Sequence, residues 1–104
     1  MPGMRLNLNE VDKSAMKFFF TERTYKPENA SFMKLSDSWK STNEINQELD
    51  ESWVRTQKRL EKLAGFGLVD HQWIRYGERR DHYWYISRDG VYCILSTLDS
   101  VNFL

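Results

Sequence analysis

Apolar residues recur at helical spacing in four stretches of the chain, and each stretch predicts a helix. The predicted helices cover residues 9–21, 42–49, 53–64 and 89–101. In the first, an apolar stripe (Val11, Ala15, Phe18 and Phe19) follows Asn9, a residue type favoured at helix N-caps. Before the second, Ser41 and Glu44 have the spacing of a capping box. A turn at 50–52 separates the second predicted helix from the third, and Ser87 or Asp89 is expected to cap the last one.

Two further runs are rich in β-branched and aromatic residues and predict the strands of a β-hairpin. They cover residues 68–76 and 82–87, and the charged, glycine-containing segment 77–81 is expected to be the loop between them. The connection 22–40 contains Pro27 and several serines, and allows a short helical turn near 30–35.

This order of elements predicts one α+β domain, mainly α, with the architecture of a winged helix-turn-helix. In this interpretation the helix-turn-helix covers about 42–64, the two-stranded wing about 68–87 and a C-terminal dimerisation helix about 89–101. The first helix completes a three-helix core.

Two motifs resemble those of winged-helix transcriptional regulators. In the first, Leu60 and Leu63 stand three apart, Gly67 follows, and Leu68 and Val69 come next. The resemblance implies that the leucines pack the recognition helix on the core, that the glycine ends the helix, and that Leu68 and Val69 start the first wing strand.

The second motif covers residues 79–90 and has a basic tip, an aromatic strand and the ending Ile86-Ser87-x-x-Gly90. It is similar to the "Leu-Thr-x-x-Gly" ending of MarR-like, ArsR-like and PadR-like proteins. The likeness covers about 41–98 and assigns no single family. Segment 25–39 matches none of the three, the metal-sensing cysteine pattern of ArsR-like proteins is missing, and the chain is shorter than MarR-like proteins usually are.

Charge is balanced overall but distributed unevenly. The chain of 104 residues has 15 basic and 15 acidic side chains, yet segment 52–88 holds eight basic and four acidic ones. A basic half of this kind can bind a phosphate backbone. One cysteine excludes an internal disulfide framework, and neither a signal peptide nor a long apolar run is visible, so a cytoplasmic location is expected.

Resemblance to these regulators places the candidate DNA-binding side chains on the third helix and at the wing tip. They are Ser52, Trp53, Arg55, Gln57, Lys58, Arg59, Arg79, Arg80 and His82. Arginine pairs with guanine and glutamine with adenine, whereas serine and lysine suit phosphate. The alternatives are a solvated helix face and a charged hairpin tip that prevents edge aggregation. Trp53 either contacts DNA or folds back onto Trp39 or the preceding helix, and burial is the favoured interpretation.

The remaining chemistry-bearing residues indicate structure rather than catalysis. The sequence has no phosphate-binding loop, no nucleophile with a histidine partner and no paired carboxylates in a suitable context, so no enzyme activity and no cofactor are expected. His71 and His82 lack a third ligand at metal-binding spacing. A narrow apolar seam on the last helix (Val91, Ile94, Leu98 and Val101) is expected to form a homodimer interface, although a monomer could also bury it.

The sequence therefore favours a sequence-specific regulator that binds double-stranded DNA as a homodimer. A winged-helix module for protein–protein interaction and a non-specific architectural DNA binder remain alternatives. Whether the protein responds to a small-molecule effector stays open.

Overall fold

The computed structural model describes residues 8–21 and 38–97 of the chain. Within these ranges it has four helices: α1 (Glu10–Phe18), α2 (Thr42–Leu49), α3 (Trp53–Gly65) and α4 (Arg88–Thr97). Three strands, β1 (Lys40–Ser41), β2 (Val69–Tyr76) and β3 (Arg79–Ile86), form an antiparallel sheet in the order β1-β3-β2. The helical turn predicted near 30–35 and the end of the last predicted helix, 98–101, lie outside the described residues.

Local signals set the starts of α1 and α2 as predicted. The Asn9 side chain accepts the Asp12 N–H at 2.8 Å, and the Asp12 carboxylate accepts the Asn9 N–H at 3.1 Å. Ser41 and Glu44 form the same reciprocal pair at α2. The predicted end of α1 at residue 21 is wrong, because the chain changes to i→i−3 hydrogen bonds after Phe18.

A left-handed residue makes the turn between α2 and α3. Asp50 has φ 51° and ends α2, and the side chain of Ser52 then accepts the Arg55 N–H to begin α3. These two helices and their turn form the predicted helix-turn-helix.

The wing hairpin is tighter than the sequence indicated. Tyr76 pairs with Arg79, so the turn contains only Gly77 and Glu78 in place of the predicted five-residue loop. Gly77 has φ 65°, a conformation open to glycine, and two-residue turns of this kind match the twist of the strands. Arg79, Arg80 and Asp81, which were assigned to the loop, therefore extend β3.

Strand β1 was not predicted, because Lys40 was expected to lie in the connection 22–40. Lys40 pairs with Trp84 and Ser41 pairs with Tyr83, which joins the start of α2 to the wing. The Trp84 indole N–H also donates to the Thr42 hydroxyl at 2.7 Å. The base of the wing is thus fixed to the helix-turn-helix.

One apolar core connects the helices to the base of the wing. Its buried members are Ala15, Met16, Phe18, Phe19, Ile45, Leu60, Leu63, Leu68, Val69, Trp84 and Ile94. Alternation along the wing strands predicts that half of its four aromatic residues are core, and the structure buries Tyr83 and Trp84 but leaves Tyr85 intermediate and Trp73 exposed. The two buried residues are adjacent rather than alternating, so both faces of β3 are covered there.

The start of α4 is attached closely to the base of the wing. Ser87 is the cap, since its hydroxyl accepts the Gly90 N–H at 3.0 Å and donates to the Gly67 carbonyl at 2.6 Å. The Ser87 N–H donates to the Leu68 carbonyl at 3.0 Å.

Candidate nucleic-acid interface

The first turns of α3 present a polar face to solvent. Ser52, Arg55 and Lys58 are exposed, and Gln57 is intermediate, with its amide donating to Glu61 at 3.3 Å. The Trp53 side chain is 50% exposed, so the favoured expectation of burial is wrong. Trp39 instead packs against Tyr85, with ring centroids 4.2 Å apart. The second helix of the helix-turn-helix therefore presents a cationic face with an indole at its start.

Arg59 does not belong to this exposed face. Its guanidinium bonds to the Glu51 carboxylate at 2.7 and 3.1 Å and to the Asp12 carboxylate at 2.5 Å. Only 12% of its side chain is exposed. Arg59 stands four residues after Arg55, a spacing that predicts one shared helix face, but the structure turns Arg59 toward α1.

Asp12 is the buried centre of this ion-pair cluster. Its side chain is fully buried and accepts hydrogen bonds from Arg59 and Lys62, each at 2.5 Å. Burial raises the pKa of Asp12, but the hydrogen bonds from Lys62 and Arg59 outweigh it and hold the pKa below its usual value. The Arg59 hydrogen bond likewise lowers the pKa of Glu51. The cluster joins α1, the helix-turn-helix turn and α3.

The wing carries a continuous stack of rings that leads to its tip. His82 lies 4.2 Å from the Trp84 ring centroid and 4.2 Å from that of Trp73, which it stacks on at 18°. The Arg80 guanidinium lies over the Trp73 ring at 4.8 Å. Arg80 is thereby held at the tip by a cation–π contact. Arg79 begins β3, and its side chain lies outside the described part of the structure.

His82 is a member of the stack rather than a free surface histidine. Its Nε2 lies 2.8 Å from Nδ1 of His71, and its own Nδ1 is buried and finds no hydrogen-bond partner in the described structure. Burial and, to a smaller extent, the charge of His71 lower the pKa of His82 to about 4, and Glu61 acts in the opposite direction. The ring is therefore neutral at pH 7 and unsuited to pairing with a phosphate.

This lowered pKa predicts a loss of stability on mild acidification. Between pH 6.5 and about 4 the unfolded chain binds a proton at His82 that the folded chain does not, so the free energy of unfolding falls as the pH falls through that window. We expect His82→Phe, which keeps a ring in the stack, to have a flatter profile. Urea unfolding across that pH range measures the difference, and parallel profiles for the two proteins would refute it.

A groove of about 690 Å³ lies between α3 and the wing. Its walls are Ser41, Thr42, Asn43, Glu44, Gln47, Trp53 and Gln57 from β1 and the helix-turn-helix, and Trp73, Arg80, Asp81, His82 and Tyr83 from the wing. The groove thus brings together four of the predicted DNA-binding residues: Trp53, Gln57, Arg80 and His82.

Neither a metal site nor a membrane-spanning helix is found in the described ranges. There, no three His, Cys, Asp or Glu side chains are grouped so that they could hold a metal ion. No helix within these ranges is long and apolar enough to cross a membrane.

The structure describes two of the four residues of the predicted dimer seam. Ile94 is fully buried in the chain's own core, so it cannot serve as an interface residue, and Val91 is intermediate. Leu98 and Val101 lie outside the described residues. The exposed apolar side chains of α4 are instead Tyr92, at 66%, and Leu95, at 41%. Of the two seam residues that the structure describes, Ile94 alone is buried, and it packs in the chain's own core.

Solved structures of two regulators are similar to this chain. A possible transcriptional regulator from Methanosarcina mazei Go1 is 19% identical, with a TM-score of 0.55, over 88% of this chain and 67% of its own. The zinc-responsive MarR family member ZitR of Lactococcus lactis is 14% identical, with a TM-score of 0.59, over 90% of this chain and 54% of its own. No protein-family model and no curated protein matches the sequence. At these identities the similarity shows the fold, and it confirms the predicted α+β winged helix-turn-helix.

Proposed function

We propose that this protein is a transcriptional regulator that binds double-stranded DNA in a sequence-specific manner. The observation that carries the proposal is the shared groove, because it sets the exposed start of α3 and the cationic wing tip on one side of the molecule. In winged-helix proteins of this geometry, the second helix of the helix-turn-helix enters the major groove. The wing tip, residues 77–82, then lies on the flanking backbone or in the minor groove.

The exposed side chains suggest a division of roles on α3. Arg55 is the proposed base-reading arginine, and Gln57 can turn from Glu61 to an adenine edge. Ser52 and Lys58 are exposed and suit phosphate oxygens. We leave Arg59 out of the proposed contacts, because freeing it would break three hydrogen bonds to two carboxylates.

We further propose a homodimer, as a palindromic site requires. Tyr92 and Leu95 stand three residues apart on α4 and are both exposed, so they share a face that a second copy can cover. This face replaces Ile94 in the proposed interface.

A selection experiment tests the proposal directly. Purified protein is incubated with a pool of random duplexes, and the bound fraction is sequenced for the wild type, Arg55→Ala and the control Lys17→Ala. Lys17 is an exposed cation on α1, outside the groove. We expect an enriched palindrome, with affinity for it reduced about tenfold or more by Arg55→Ala and little changed by Lys17→Ala.

Other outcomes would favour the two alternatives. Binding that weakens steeply with salt but enriches no sequence would indicate an architectural DNA binder. The absence of any binding at low salt would refute the DNA proposal. A protein-interaction module would then remain, with the exposed Trp53, Phe66 and Tyr92 as its candidate contacts.

A further inference from the structure

The groove between α3 and the wing has an indole on each wall. Trp53 stands at the start of α3, and Trp73 stands on β2. Both side chains are about half exposed, at 50% and 53%. In the part of the chain that the structure describes, no aromatic ring stacks on Trp53. Two large flat apolar surfaces therefore face a polar groove.

Trp73 is already held rigidly in place. His82 stacks on its ring at 4.2 Å, and the Arg80 guanidinium lies 4.8 Å from its centroid. This wall of the groove consequently combines an indole with a planar cation, and both surfaces are of the type on which nucleobases stack.

We propose that this groove binds an unpaired nucleobase of a locally opened DNA strand. The base would stack on Trp53 against the wall formed by Trp73 and Arg80. The proposal rests on the DNA-binding function above and specifies the form of DNA that the same surface prefers.

The other lining groups suit the edges and the backbone of such a nucleotide. Asn43, Gln47 and Gln57 supply amides that can both donate to and accept from a base edge. The volume of about 690 Å³ is in the range of sites for small planar molecules. Arg55 and Lys58 are exposed on the adjacent face of α3 and can meet the phosphates on either side of the base.

A fully paired duplex would leave the two indoles of this groove largely unused. Inside a duplex both faces of each base are covered by its neighbours, so an indole can reach only sugars and methyl groups. An opened strand offers the base face itself, and stacking on an aromatic side chain is favourable for any base.

The test compares two duplexes of one sequence, one fully paired and one with a short central bubble of unpaired thymines. Binding is followed by anisotropy of labelled DNA and by quenching of tryptophan emission. We expect the wild type to bind the bubble about tenfold more tightly and to be quenched by it. Trp53→Ala should remove this preference, so that the bubble and the paired duplex bind with equal affinity, and Trp53→Phe should retain most of it.

Val54→Ala is the matched control, because Val54 is 60% exposed beside Trp53 but does not line the groove. It should behave as the wild type. Equal binding of both duplexes, or a preference that survives Trp53→Ala, overturns the inference and leaves the proposed function intact. Binding of the bubble with no binding of any paired duplex refutes the proposed function and supports the inference. Free thymidine monophosphate that binds as tightly as the bubble overturns the assignment to a strand.

Discussion

Replacement of Gly90 with alanine is expected to lower the free energy of unfolding by about 3 kcal/mol, because the first turn of α4 has no room for a Cβ atom. A Cβ at Gly90 would stand 2.0 Å from the Leu68 carbonyl oxygen and 2.7 Å from Cγ1 of Ile86. The carbonyl belongs to the backbone and cannot rotate away, so α4 would have to shift. That shift would strain the bond from the Ser87 N–H to the same oxygen.

Gly65→Ala is the matched control for this prediction. A Cβ at Gly65 meets no atom within 4 Å, and the residue ends α3 without a positive φ. We expect its stability to equal that of the wild type or to rise by about 0.5 kcal/mol, because alanine restricts the unfolded chain. Urea unfolding followed by circular dichroism measures both variants. A Gly90→Ala protein as stable as Gly65→Ala would refute the packing argument.

This glycine shows what a sequence motif can and cannot convey. The ending Ile86-Ser87-x-x-Gly90 indicated where the wing ends and α4 begins, and the structure confirms that position. The reason for the glycine is a close approach to Leu68, which lies 22 residues earlier, just before the first strand of the hairpin. Only the paired strands bring the two together.

Elements fixed by local chemistry were predicted well. Capping boxes, the turn at Asp50 and the glycines after α3 act over a few residues, so their signals are present in the sequence itself. The starts of α1, α2 and α3 follow from these signals. The groove itself was not predicted, although a helix-turn-helix joined directly to a hairpin places the two elements side by side.

Features that depend on distant partners were not predictable. β1 is two residues long and exists only because β3 lies beside it, with paired residues 42 and 44 positions away. Arg59 bonds to Asp12, which is 47 residues away, and nothing in its helical spacing distinguishes it from the exposed Arg55. The sequence offers one hint, Glu51, an acidic residue in the turn between α2 and α3.

Replacement of Asp12 with alanine is expected to lower the free energy of unfolding by about 3 kcal/mol at pH 7. Removing the buried carboxylate leaves the Arg59 guanidinium with the Glu51 carboxylate and the Asn9 side-chain oxygen, and the loss of one charged acceptor from a poorly solvated cation is costly. The change also removes the reciprocal bond to the Asn9 N–H that begins α1. The loss of the Lys62 ion pair costs less free energy, because 39% of the Lys62 side chain is exposed and water can solvate its ammonium group.

Two comparisons distinguish the loss of the ion-pair cluster from a general destabilisation of α1. Glu10→Ala removes a 3.5 Å pair with Lys13 whose acidic side chain is 91% exposed, so we expect a change of less than about 0.5 kcal/mol. The pKa of Asp12 is held below 3.8, so the stability it contributes is present above that pH and is lost as the pH falls through the folded-state pKa. Urea midpoints of the wild type and Asp12→Ala should therefore converge in acid. A difference between the two midpoints that stayed constant down to pH 2 would assign the loss of stability to packing. In that case α3 would be positioned by its apolar contacts rather than by this cluster.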